Sequence, residues 1–81
     1  MTTAERTVRA GDVVLVGRAA SVQFAGDAGF AFRIVEVDLR PTYEGWVWLD
    51  GYQLDRRGRA VLRRRIFVQE AGLRRPRPRQ P

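Results

Sequence analysis

Short apolar runs recur along this chain at roughly ten-residue intervals, separated by glycine, proline and aspartate, and this constrains its fold more than any other feature. No window of about eleven residues keeps a helical apolar period. Gly11–Asp12 opens a strand at Val13–Gly17, and a second short apolar stretch covers Ala20–Phe24. The small residues Ala25-Gly26-Asp27-Ala28-Gly29 then read as turns. Phe30–Leu39 is the longest β-rich run and ends where Pro41 denies the ladder a donor. After a turn at Thr42–Gly45, Trp46–Leu54 forms another strand. Asp55-Arg56-Arg57-Gly58 suits a type I turn with Gly58 left-handed, so a hairpin returns through Arg59–Val68. Ile66–Leu73 is the best helix candidate, and it reads equally well as a 3₁₀ turn after a strand. The expectation is all-β: five strands in a small barrel or sandwich.

The phases of the strands sharpen this. In Phe30–Leu39 the apolar positions are Phe30, Phe32 and Ile34, then Val35, Val37 and Leu39, so the buried face changes parity near Ile34–Val35. A bulge does that where one long strand serves two sheets. In the next strand Trp46, Trp48, Asp50 and Tyr52 share one face, and Val47, Leu49, Gly51 and Gln53 the other. Large apolar groups on both faces fit a central strand.

The layout resembles an SH3-like barrel over residues 11–73, with its Gly-Asp-Val-Val-Leu-Val opening strand, wandering second segment and three-stranded meander before Ala71–Leu73. The resemblance implies a five-stranded barrel and no particular activity. The segments Trp46–Tyr52 and Ile66–Leu73 are also similar to small proteins of high-GC actinobacteria. The absence of lysine and asparagine, whose codons are A/T-rich, agrees with a GC-rich bacterial source. On this reading residues 1–10 are a flexible leader, 11–73 the domain, and 74–81 a disordered tail in which alternating arginine and proline favour polyproline II.

Eighty-one residues make one domain. No stretch is apolar enough for membrane insertion or a secretory signal, so the expected location is cytoplasmic. The chain has no histidine, cysteine or lysine, which removes the imidazole base, the thiolate and the Schiff-base amine. Ser21, the only serine, has no activating neighbour in sequence. Glu36, Asp38 and Asp50 remain as carboxylates, but so small a chain rarely builds the cleft that acid–base chemistry needs. No spacing suits a metal site. No catalytic residue, metal ligand or cofactor is therefore expected, and the chain reads as a binding protein rather than an enzyme.

Arginine placement carries the functional expectation. All fifteen basic residues are arginines, and residues 1–73 hold eleven of them against nine acids. Arg56, Arg57, Arg59, Arg63, Arg64 and Arg65 crowd one hairpin, while Arg74, Arg75, Arg77 and Arg79 fill the tail. Alternation sends Arg63 and Arg65 to one face and Arg64 to the other. Forks at Arg56, Arg57, Arg59, Arg63, Arg65 and the four tail positions can hold DNA or RNA phosphates with little sequence choice. Tyr43, Trp46, Trp48 and Tyr52 can supply stacking or groove aromatics beside them. The competing reading pairs the strand arginines with Glu36, Asp38 or Glu44, and each tryptophan is expected to pack in the barrel core rather than to stack. Tyr43, in a turn beside Pro41, is expected at the surface. The alternative function is a protein-interaction or self-associating module with a protein partner or a homodimer. Arg75-x-x-Pro78-x-x-Pro81 matches an SH3-ligand pattern by letter, as a segment this biased does by chance.

Overall fold

The computed structural model describes residues 8–76. The described chain is all-β: β1 (Val13–Val16), β2 (Phe30–Val37), β3 (Trp46–Leu54) and β4 (Ala60–Gln69) form one antiparallel sheet in the order β1-β2-β3-β4. Among the described residues no helix is long and apolar enough to cross a membrane.

β3 runs over the residues its alternation predicts and lies centrally, between β2 and β4. The parity switch in β2 is a real irregularity. Ile34 faces Gly51 and Glu36 faces Asp50, which leaves Val35 unpaired in the register. The hairpin tip also closes as expected. Asp55 accepts from the Gly58 amide at 2.9 Å and donates to the Arg59 carbonyl at 2.8 Å, with Gly58 at φ 83°. The Asp55 carboxylate accepts two further amides, those of Arg57 at 2.8 Å and Arg59 at 2.9 Å.

The five-strand count requires correction, because Ala20–Phe24 is not a strand. Ala20, Ser21 and Phe24 are buried while Val22 is exposed, a spacing that suits a turn of helix. The chain accordingly makes a 3₁₀ turn at Val22–Phe24 and another at Gly26–Ala28. The amides of Ala20 and Ser21 both donate to the Gly17 carbonyl, at 3.0 and 3.1 Å.

The chain after β4 folds back over the far edge of the sheet. A 3₁₀ turn at Glu70–Gly72 leads to a single bridge, in which Leu15 donates to Arg74 at 2.6 Å and Arg74 to Leu15 at 3.2 Å. Gln69 donates to the Ala20 carbonyl at 2.8 Å, tying the end of β4 to the segment that follows β1. Gly72 lies so close to Ala19 that a Cβ would overlap its carbonyl oxygen, which explains glycine there. Arg74, read as the start of the tail, is thus part of the domain's closure.

One face of the coiled sheet carries the core: Val14, Val16, Phe32, Ile34, Val47, Leu49, Ile66 and Val68, joined by Ala20 and Phe24. Val8, placed in the leader by sequence, is also a core residue with 3% exposure. Burying such a side chain contributes about 1.5–3 kcal/mol. The other face carries Trp46, Trp48, Asp50 and Tyr52 from β3 against Gln69, Phe67, Arg65 and Arg63 from β4. That face positions the candidate site.

Candidate functional site

The three arginines inside β4 are already occupied. Arg63 grips Asp50 through both oxygens, Nε to Oδ1 at 3.2 Å and Nη2 to Oδ2 at 3.0 Å, with its guanidinium 5.6 Å from the Tyr52 ring centre. Arg65 donates to Asp38 Oδ2 and lies 5.1 Å over Trp48. Asp38 also receives Arg40, from its amide at 2.9 Å and its Nη2 at 2.6 Å, so two guanidiniums share one carboxylate. The Arg40 hydrogen bonds first, and the Arg65 bond with them, hold Asp38 well below the usual carboxylate range. Arg63 lowers Asp50 in the same way, and Asp50 raises Arg63 in return.

Arg64 points to the opposite face, as alternation requires. Its guanidinium lies 4.8 Å over Phe30 and 5.4 Å over Phe24, and its Nη1 donates to Gln53 Oε1 at 2.8 Å. It closes one end of the core.

Arg56, Arg57 and Arg59 differ in kind. All three are exposed at the hairpin tip, and among the described residues none makes an ion pair. Asp55 is the nearest acid in sequence, but its carboxylate is committed to the amides of the turn. The tip therefore presents three guanidiniums with free donors and a net charge of about two. In the tail, Arg74 is exposed beyond its backbone bridge, and Arg75 pairs with Asp12 at 3.3 Å. Asp12 is held low chiefly by the Arg9 amide, and by Arg75 in addition. Arg77 and Arg79 lie outside the described residues.

The tryptophans do not enter the core, which corrects the expectation of core packing. Both are half-buried on the outer face, where Phe67 lies between them. Its ring centre is 5.1 Å from Trp46 at 26° and 4.9 Å from Trp48 at 35°. Tyr52 is separated from this group along β3 and serves as the platform for Arg63. Tyr43 is 78% exposed, as its turn position implies. With Pro41, Thr42, Trp48 and Phe67 it lines an open, largely apolar groove of about 550 Å³. Thr42 fixes the loop by donating to the Trp46 carbonyl at 2.5 Å, and the Trp46 amide returns to Tyr43 at 2.9 Å.

Protein-family models, curated proteins and solved structures contain no match to this chain. The chemistry of the surface must therefore carry the reading.

Of the residues singled out by sequence, the structure groups Arg56, Arg57 and Arg59 as free cations and places Tyr43 and Trp48 on one groove. It withdraws Arg63 and Arg65 into pairs with Asp50 and Asp38, not Glu36 or Glu44. Phe67, Pro41 and Thr42 were not anticipated. Phe67 was within reach, because it shares parity with Arg63 and Arg65 and lies opposite Trp48 once the turn fixes the register. Among the described residues no acidic cluster could hold a metal ion.

Proposed function

We propose that this chain is a non-enzymatic binding module of SH3-like architecture that holds nucleic-acid phosphates at its β3–β4 hairpin tip. The architecture is supported by the meander order, the 3₁₀ turn after β4 and the Leu15–Arg74 bridge back to β1. The binding reading rests on one observation. Nature of the pairing splits the hairpin arginines: Arg63, Arg64 and Arg65 are spent within the fold, while Arg56, Arg57 and Arg59 project together without a carboxylate partner. Guanidinium forks of this kind match phosphate oxygens and contribute affinity with little sequence choice. Asp38 and Asp50 stay ionised at neutral pH beside their arginines, which argues against acid–base catalysis on this face.

Arg74 closes the fold through its bridge to Leu15, so a truncation that removes Arg77 and Arg79 begins after Pro76. The test is a titration of ¹⁵N-labelled protein with a short duplex. Signals of Arg56, Arg57 and Arg59 move with the duplex, and those of Arg63 and Arg65 stay. Shifts confined to other surfaces overturn the reading. The apolar groove at Tyr43 favours a second reading, a protein-interaction module, which predicts a partner-dependent shift there and none at the tip.

A further inference from the structure

The groove beside Trp48 has no role in phosphate binding at the tip, and its composition selects a ligand. Its walls are Tyr43, Trp48 and Phe67 rings with Pro41 and Thr42, and its volume of about 550 Å³ falls within the roughly 300–1,000 Å³ of small-ligand clefts. Two guanidiniums stand beside the lining residues. Arg65 covers the Trp48 ring, Arg40 precedes Pro41, and the two share the single carboxylate of Asp38. Arg40 and Arg65 remain 78% and 42% exposed while paired, so donors are left over. Glu44, next to Tyr43 in the chain, is exposed and, like Arg40 and Arg65, stands outside the lining residues, but it offers no donors to an anion. The spare guanidinium donors favour an anionic group there, although the aromatic walls alone would accept a cation. A flat π-system attached to an anion satisfies both walls and guanidiniums.

We infer that the groove receives an unpaired nucleobase, stacked on Tyr43 beside Trp48 with its phosphate toward Arg40 and Arg65, so that the preferred ligand is single-stranded. This rests on the phosphate-binding reading above and narrows it. Bases inside a duplex hide their faces in the stack, whereas unpaired bases offer them to aromatic side chains. The groove is preorganised: the Thr42 and Trp46 hydrogen bonds fix the Tyr43 backbone, and the Arg40–Asp38 clamp fixes the start of the loop. Trp48 lies eight residues before Arg56, about 26 Å along an extended strand. A strand of several nucleotides can therefore reach from the groove to the tip arginines.

The test measures anisotropy of a labelled single strand about 12 nucleotides long and of its duplex. It compares the wild type with Tyr43→Ala and Tyr43→Phe. Tyr43 is too exposed for its loss to unfold the domain. The expected result is tighter binding of the single strand, with quenching of tryptophan fluorescence. Tyr43→Ala should weaken single-strand binding by about 5- to 150-fold, as loss of a base stack does, and leave the duplex unchanged. Tyr43→Phe should bind like the wild type. Salt-dependent binding of both ligands that ignores Tyr43→Ala overturns the groove assignment and leaves the phosphate reading standing. Failure to bind either ligand overturns both. A dimer in sedimentation that Tyr43→Ala dissociates makes a second copy the occupant and also overturns the inference.

Discussion

Replacing Gly51 by alanine tests the packing of the sheet at its tightest point. Gly51 sits on the core face of β3, opposite Ile34 of β2 and Arg64 of β4. A Cβ there would overlap the Arg33 carbonyl oxygen, 2.9 Å from Phe32 Cε2 and 3.0 Å from the Arg33 carbonyl carbon. Two effects oppose each other. Alanine loses less conformational entropy than glycine in a strand, a gain of about 0.5–1 kcal/mol. Overpacking costs about 1–3 kcal/mol, and more where the obstacle is backbone held in a ladder, as Arg33 is by its pairing with Tyr52. Phe32, fully buried, has nowhere to swing. The clash wins, with a net loss of about 2 kcal/mol from a stability on the order of 4–8 kcal/mol. At about 4–8 °C per kcal/mol, Tm should fall by about 8–16 °C in thermal circular dichroism. Gly17, with nothing within 4 Å of its Cβ position and no positive φ, is the control. Gly17→Ala should leave Tm unchanged or raise it. A Gly51→Ala protein melting within about 4 °C of wild type would refute this account of the β2–β3 approach.

Three further outcomes follow from the same geometry. Arg64→Ala should cost about 1–2 kcal/mol, through two lost ring contacts and the stranded Gln53 carbonyl, without changing nucleic-acid affinity; denaturant melts and binding curves separate the two. Val8→Ala should cost about 2 kcal/mol, and a change below about 0.5 kcal/mol would show that the segment does not belong to the core. Acid titration should show stability holding above the unfolded carboxylate value of 3.8 and falling below it, since Asp12, Asp38 and Asp50 are all lowered in the folded state. The Asp38→Asn, Asp50→Asn protein should be less stable at neutral pH, with a flatter decline below 3.8, and an unchanged acid profile would contradict the pairings.

Much of the fold was legible because it lives in local alternation. The parity switch at Ile34–Val35 located the irregularity in β2, and the Asp55–Gly58 turn chemistry set the β3–β4 hairpin. Ala20–Phe24 misled because a short apolar run does not distinguish a strand from a helical turn, and burial at positions 20, 21 and 24 appears only in three dimensions. The Leu15–Arg74 bridge uses backbone groups alone and leaves no side-chain signature. Trp46 and Trp48 were ambiguous because β3 is apolar on both faces, and Phe32, lying over Gly51, already fills the core side. The arginine count showed a cationic hairpin, but register decides which cations are free. Asp50 reaches Arg63, and the end of β2 delivers Asp38 to Arg65.

The most direct measurement is the slope of log K against log salt for duplex DNA, from about 50 to 200 mM, with the wild type and an Arg56→Gln, Arg57→Gln, Arg59→Gln protein. Three released phosphate contacts predict a slope shallower by about 2.7 in the variant, with Tm unchanged. An unaltered slope would contradict the claim that the hairpin tip holds the polyanion.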